Sequence, residues 1–117
     1  MDVSTYLAEG GTDIYCDLLV PRRVPVEVVF ESPTIIAFWH SRPTHEYHFV
    51  VAPKRHVADI RSPDTDAIWA DVLSALKAVL DLIPVTAAGG RVITNCGRFQ
   101  QSKHLHFHVV GGRQLSS

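Results

Sequence analysis

The chain has 117 residues, of which 46% are hydrophobic and 20% are charged, and its formal net charge is −1 at pH 7. This length fits one domain with a substantial core, and the composition excludes the disordered class. With no basic surplus, general binding to nucleic acid or to acidic membranes is not expected. The sequence has no leader-like start and no run of about 18 apolar residues, so we expect a soluble cytoplasmic protein with no membrane contact.

The domain organisation predicted from the sequence is simple. Residues 1–117 are expected to form a single domain, in which residues 1–11 and 114–117 are loosely held. Cys16 and Cys96 are the only cysteines. Two thiols are too few for a disulfide framework, so both are expected to be reduced.

The first half of the chain predicts a short helix followed by three strands. The helix fits residues 12–20, ahead of the two prolines that follow. Runs of β-branched and aromatic residues predict strands over residues 26–30, 34–39 and 47–52.

The second half predicts one long helix between further strands. Apolar residues recur at intervals of three and four over residues 68–83, and Ser62 followed by Pro63 fits an N-cap and a first helical position. Strands are predicted over residues 91–94 and 104–110. The order of elements predicts an α+β fold: a five-stranded, mainly antiparallel sheet with one long helix and a short N-terminal helix.

Three histidines, His104, His106 and His108, alternate with apolar residues in the last predicted strand. Because side chains alternate across a strand, the histidines share one face and the apolar residues share the other. Imidazole nitrogens need polar partners when they are buried. A row of three rings therefore indicates a site for an anion, a metal ion or proton transfer.

Three interpretations of this row stay open from the residues alone. The rings can be solvated structural histidines, or they can share a zinc ion with a further ligand such as His48 or His56. In the third interpretation one ring attacks phosphorus as a nucleophile. Histidine suits that task because its ordinary pKa, about 6.5, leaves much of it neutral near pH 7.

The segment His104–Val110 resembles the signature of the histidine triad superfamily, and residues 111–114 resemble its continuation in the histidine triad nucleotide-binding branch. The resemblance covers roughly residues 12–114. Other segments resemble the same branch in the same order: residues 28–31, 37–38, 48–56 and 95–97, and Gln100.

The resemblance implies a hydrolase or transferase that cleaves a nucleoside phosphoramidate or an acyl or aminoacyl nucleotide at the α-phosphorus, through a nucleotidyl-histidine intermediate. His106 would be the nucleophile, and the His104 carbonyl would bind its other nitrogen and set its tautomer. His108 would contact the phosphate oxygens, while His104 and His48 would shape the site. The implied partner is a small-molecule nucleotide, and the implied assembly is a homodimer.

The same resemblance implies that Asn95, Gln100 and Ser102 bind substrate, and it implies no cofactor for the reaction. Some bacterial members carry a Cys-x-x-Cys motif near the start that helps to bind zinc. Here Asp13 stands at the first of these positions and only Cys16 matches, so no structural metal is expected.

Departures from the branch at His40 and at Phe99, where the family commonly has glycine, and a likeness of Lys103 to another branch leave alternative functions open. His40 stands where the branch usually has an aspartate that binds the ribose hydroxyls, so an altered nucleoside preference is expected. Lys103 is similar to a residue of the dinucleoside branch. The alternatives are a dinucleoside polyphosphate hydrolase and a nucleotide-binding protein with little turnover.

Overall fold

The computed structural model describes residues 3–115. The end residues 1–2 and 116–117, which were expected to be loosely held, lie outside the described residues. Within the described part, residues 3–8 of the N-terminal segment form a helix, and Gln114 ends the last strand. None of the helices in residues 3–115 is long and apolar enough to cross a membrane.

The centre of the fold is one five-stranded antiparallel sheet with the spatial order β1-β2-β3-β5-β4. The strands are β1 (Val28–Glu31), β2 (Ile35–Trp39), β3 (His45–Pro53), β4 (Gly90–Thr94) and β5 (Phe107–Gln114). Helix α1 is Val3–Ala8, and the long helix α2 is Asp64–Leu80. The predicted α+β fold, with its sheet, long helix and N-terminal helical segment, is confirmed.

Helix α2 covers one face of the sheet and makes the larger core. Its apolar stripe packs on alternate residues of the central strands. The helix begins at Asp64, and Ser62 does not cap it, because the Ser62 hydroxyl accepts a hydrogen bond from the Asp59 amide instead. The buried residues of this core include Ile35, Ala37, Phe49, Val51, Val72, Val79, Leu105, Phe107 and Val109.

The opposite face of the sheet is covered by a π-helical turn, Tyr15–Leu19, in the region where a short helix was predicted. Tyr15 packs there with Ile36, Phe38, Val50 and Ala52. These residues alternate along β2 and β3 with those under α2, as strand geometry requires. The N-terminal turn and the helix α2 therefore enclose the sheet from its two sides.

Candidate active site

The histidine row lies on the face away from α2, at the start of β5. The strand itself begins at Phe107, so His104 and His106 precede it and only His108 lies within it. The alternation nevertheless holds through the whole row, because Leu105 and Phe107 belong to the core beneath α2. His104 is fully buried, His106 nearly so, and His108 half-buried.

The His106 ring has a defined tautomer. Its Nδ1 lies 2.8 Å from the carbonyl oxygen of His104, and a carbonyl only accepts hydrogen bonds, so Nδ1 carries the proton. Burial lowers the pKa of His106, although the hydrogen bond to His104 opposes that shift. His106 is therefore a neutral imidazole near pH 7, with a free lone pair on Nε2.

Strand β3 brings His48 against His108. His48 faces the same side of the sheet, and its Nδ1 accepts the backbone N–H of Thr44 at 3.0 Å. Its Nε2–H then donates to His108 Nδ1 at 2.9 Å, which leaves the proton of a neutral His108 on Nε2. Burial, followed by the neighbouring imidazoles, lowers the pKa of each of these two rings to about 4. The site thus offers one lone pair, on His106, beside an N–H donor on His108.

Tyr15 supports the row from the N-terminal turn. Its ring stacks on the rings of both His104 and His106, with 5.0 Å between centroids in each pair. Thr94, at the end of β4, donates its hydroxyl to the His106 carbonyl at 2.8 Å. Sequence reasoning missed both residues. The one available signal was an aromatic residue beside Asp13 and Cys16.

The three residues expected to bind substrate lie on the loop between β4 and β5. The buried amide nitrogen of Gln100 donates to the carbonyl of Ala58 at 2.6 Å. The Ser102 hydroxyl is buried, and it is the one such side-chain atom in residues 3–115 that has no hydrogen-bond partner. Asn95 lies half-buried just after β4. Their contact with a substrate stays a prediction.

A second group of donors lies behind His104. Asp13, Cys16, His56 and His104 each offer a ligand atom, and these atoms all lie within 4.8 Å of one another. Asp13 Oδ2 and Cys16 Sγ lie 3.1 and 3.5 Å from His104 Nδ1, and Asp13 also pairs with His56. One carboxylate, one thiol and two imidazoles are a donor set that suits Zn²⁺.

The protonation of His104 supports this fit. Its Nε2 lies 2.8 Å from the Pro53 carbonyl and must donate to it, so in the neutral ring the lone pair on Nδ1 faces the Asp13 carboxylate. Burial disfavours the charged Asp13, but the hydrogen bond from the Cys16 amide and the two neighbouring imidazoles outweigh it and lower the pKa of Asp13 to about 2. A lone pair that faces a carboxylate is electrostatically unfavourable, and a metal ion held between the two groups would remove this repulsion.

The expectation of no structural metal considered Asp13 and Cys16 alone, and these are two of the four donors. When bound, an ion would supply the positive charge between His104 and Asp13. It would also join the N-terminal turn to the residue whose carbonyl orients His106.

Comparisons with known proteins agree with this geometry. The family model described as HIT domain matches residues 22–115. An uncharacterized HIT-like protein of Synechococcus elongatus is 29% identical over 102 residues, which cover 84% of this chain and 89% of that protein.

Solved structures show the same fold. A HIT family hydrolase from Clostridium thermocellum is 28% identical, with a TM-score of 0.76 and coverage of 90% of this chain and 94% of the other. A hypothetical histidine triad nucleotide-binding protein from Sulfolobus tokodaii is 27% identical, with a TM-score of 0.72 and coverage of 84% and 67%. The family match spans most of the chain and includes the whole histidine row, so this protein belongs to the HIT domain family.

Proposed function

We propose that this protein hydrolyses a nucleoside phosphoramidate, or an acyl or aminoacyl nucleotide, at the α-phosphorus, and that His106 carries the nucleotidyl group between two steps. The observation that carries the proposal is the 2.8 Å hydrogen bond from His106 Nδ1 to the His104 carbonyl. That bond directs the lone pair of a neutral imidazole to Nε2, where a nucleophile needs it. Membership of a family that includes hydrolases supports hydrolysis in general, without specifying the substrate.

In the first step, His106 Nε2 attacks the phosphorus and a P–N bond forms. The bond between phosphorus and the leaving amine or acyl oxygen breaks, and the leaving group departs with the electron pair. An amine also takes a proton from solvent water, which is returned when the water of the second step loses its proton. The resulting positive charge on the ring stays next to the His104 carbonyl, which continues to accept the Nδ1 proton. This contact stabilises the intermediate without moving any side chain.

In the second step, water attacks the phosphorus and the P–Nε2 bond breaks. The electron pair returns to His106, water loses a proton, and a nucleoside monophosphate is released. His108 Nε2–H is the proposed donor to the phosphoryl oxygens, and His48 fixes that donor through its bond to His108 Nδ1. His104 supplies its carbonyl and supports the site rather than reacting.

The proposal includes Asn95, Gln100 and Ser102 as substrate contacts. The unpartnered hydroxyl of Ser102 supports its part, because a buried polar atom gains most from a ligand that satisfies it. Gln100 already donates its amide nitrogen to Ala58, so its proposed contribution is the amide oxygen or the shape of the loop. Lys103 donates to the Gly97 carbonyl, which gives no support to the dinucleoside alternative.

Intact-mass spectrometry tests the proposed covalent step. The wild type and His106→Ala are exposed briefly to adenosine 5′-phosphoramidate at mildly acidic and neutral pH, and AMP release is followed in parallel. We expect AMP and a transient gain of one adenylyl group on the wild type only. His45→Gln, a histidine change at the start of β3, is the matched control and should behave like the wild type.

The opposite result would refute the assignment. AMP release by His106→Ala at a rate near that of the wild type would exclude His106 as the nucleophile. Binding of nucleotide by the wild type without an adduct or AMP would favour the alternative of a nucleotide-binding protein with little turnover.

We also propose a homodimer. Strand β4 is at the sheet edge, and its Val92 and Ile93 are about two-fifths exposed. An apolar edge strand is a favourable surface for pairing with another chain. Light scattering after size exclusion should give a molar mass twice that of the chain. The Val92→Lys substitution should lower the measured mass towards that of the monomer. A monomeric wild type at micromolar concentration would contradict this part of the proposal.

A further inference from the structure

His40 is a fourth histidine beside the triad, and the mechanism above gives it no task. It follows directly after β2, and its backbone N–H donates to the His48 carbonyl at 2.9 Å. Its ring stacks on that of His48 with centroids 4.2 Å apart, and its centroid lies 5.7 Å from that of His108. The site therefore contains a stacked imidazole that sequence reasoning did not include among the site residues.

The next turn of the chain sets the tautomer of His40. The Arg42 backbone N–H donates to His40 Nδ1 at 2.9 Å. A backbone N–H is always a donor, so Nδ1 holds a lone pair and the neutral ring carries its proton on Nε2. Burial lowers the pKa of His40, which favours this neutral form near pH 7. His40 therefore offers one N–H donor and no free lone pair.

The protons on these rings argue against a metal ion at this place. One nitrogen from each of His40, His48 and His108 lies within 4.8 Å of the other two, a spacing that also suits a metal. A metal needs a lone pair from each ring, but the lone pairs of His40 and His48 are already bound to the amides of Arg42 and Thr44. A group of N–H donors suits an anion.

The phosphoryl group is the anion that this place fits. The His48 proton is used by His108, so the two donors left are the Nε2–H groups of His40 and His108. The His108 centroid lies 5.7 Å from that of His40 and 5.1 Å from that of His106, and the phosphorus must come within bonding distance of His106 Nε2. Non-bridging phosphoryl oxygens are negatively charged and only accept hydrogen bonds, so they are suitable partners for these two N–H donors. A sugar hydroxyl can accept from one such donor, but two N–H donors match a pair of negatively charged phosphoryl oxygens better.

We propose that His40 is a specificity-determining residue that contacts the substrate, and that its Nε2–H donates to a phosphoryl oxygen beside the one bound by His108. The proposal rests on the proposed function of the His106 site. It makes the phosphoryl group, rather than the sugar hydroxyls, the part of the nucleotide that His40 recognises. Ribose and 2′-deoxyribose forms of one substrate should therefore differ little in kcat/KM.

Imidazole ¹⁵N NMR tests the contact without any turnover. In the free protein, His40 should show the Nε2–H tautomer. Inorganic phosphate and AMP should each shift its Nε2 resonance, whereas adenosine should leave it unmoved. A proton on His40 Nδ1 would overturn the proposal. So would a His40 Nε2 resonance that does not shift on addition of phosphate while the His108 resonance does. A response to adenosine as large as that to AMP would assign His40 to the sugar and would also overturn it.

Variants measure what the contact contributes. His40→Phe keeps a ring to stack on His48 but removes the donor, so the Kd for inorganic phosphate and for AMP should rise about 10-fold or more, as expected for a lost hydrogen bond to a charged group. Arg42→Ala changes an exposed side chain of the same turn and keeps the amide, so it is the matched control and should stay within about two-fold. Unchanged phosphate binding by a folded His40→Phe would overturn the proposal.

Two further comparisons keep the test decisive. If His40→Phe fails to fold, His40→Gln supplies an amide N–H donor without the ring and should retain phosphate binding within about three-fold; a loss as large as that expected for His40→Phe would count against a donor role. If the wild type shows the phosphate shift but forms no adduct on His106, the hydrolase proposal fails and the His40 contact stands. If the adduct forms equally fast in the wild type and in His40→Phe, the hydrolase proposal stands and the His40 contact is refuted.

Discussion

At the scale of single residues, the chemistry of the site depends on which nitrogen of each imidazole carries the proton. Main-chain groups decide this at the proposed nucleophile, His106, and at His48. The His104 carbonyl keeps the proton of His106 on Nδ1, and the Thr44 amide keeps that of His48 on Nε2. Because backbone groups do not titrate, the tautomers are insensitive to pH as long as the chain keeps its path.

His106→Ala should lose at least about 10³-fold in turnover, because it removes the proposed nucleophile together with its Nε2 lone pair. The fold should persist, with a Tm within a few degrees of the wild type. AMP release and a thermal melt measure the two quantities. His106→Gly with added imidazole should recover part of the activity, and an absence of any rescue would argue that the ring has a structural role only.

Tyr15→Ala should destabilise the protein by about 3 kcal/mol and reduce turnover, since it removes a buried ring that stacks on both His104 and His106. Tyr15→Phe keeps the stacked ring and is the matched control. Urea unfolding measures the free energy, and kcat is compared under conditions in which both variants are folded. Equal turnover in Tyr15→Ala and Tyr15→Phe would show that the stack does not align the nucleophile.

The sequence predicts those site residues that lie close together in the chain, and it does not predict those that come from distant segments. The alternation of histidines with apolar residues specifies which rings share a face, and that prediction needs only the strand period. Tyr15 and Asp13 reach the row from about 90 positions earlier in the chain, and no local pattern reports such a contact. The tautomers were also beyond the sequence, except for the His106 bond implied by the family resemblance.

At the scale of elements, the N-terminal segment is the part whose structure and contacts were least predictable from the sequence. Strong periodicity predicted α2 and the strands, whereas Val3–Ala8 lies in a segment expected to be loosely held and yet forms a helix. The π-helical turn Tyr15–Leu19 and Asp13 just before it bring a thiol and a carboxylate to His104. Its importance comes from tertiary packing, which composition and spacing do not report.

Added Zn²⁺ should stabilise the wild type at neutral pH with one equivalent per chain. At a free concentration of about 100 times the Kd, the gain would be about 2.7 kcal/mol, or roughly 10 °C in Tm. EDTA should reverse it. Cys16→Ser and Asp13→Ala should lose most of the gain, whereas Cys96→Ser, a thiol outside the donor group, should keep it. A wild-type Tm that does not change when zinc is added would contradict metal binding by this donor group.

At the scale of the whole molecule, the row of neutral imidazoles couples stability to pH. The pKa of His48 and that of His108 fall from the ordinary 6.5 to about 4, first because of burial and then because of neighbouring rings. Between pH 6.5 and 4 the unfolded chain therefore binds more protons than the folded one. The stabilisation is fully present above about pH 6.5 and is lost as the pH falls towards 4.

We expect the Tm to fall by roughly 10 to 20 °C between pH 7 and pH 4.5, since two rings are shifted and one pKa unit corresponds to about 1.4 kcal/mol. Differential scanning calorimetry over this range measures the slope. His48→Gln should flatten the curve, while His45→Gln, a change at the half-buried start of the same strand, should retain most of it. A wild-type Tm that stays constant down to pH 4.5 would contradict the depressed pKa values.

The strict division of the sheet into an apolar face and a histidine face has a consequence for folding fidelity. If β5 shifted by one residue against β3, His106 and His108 would turn beneath α2, and Phe107 and Val109 would turn to the opposite side. Such a chain would bury imidazoles without partners and expose core side chains, which is a large energetic penalty. A molecule with this shifted register is therefore strongly disfavoured. The alternation that places the histidines on one face also makes the register that would bury them unstable.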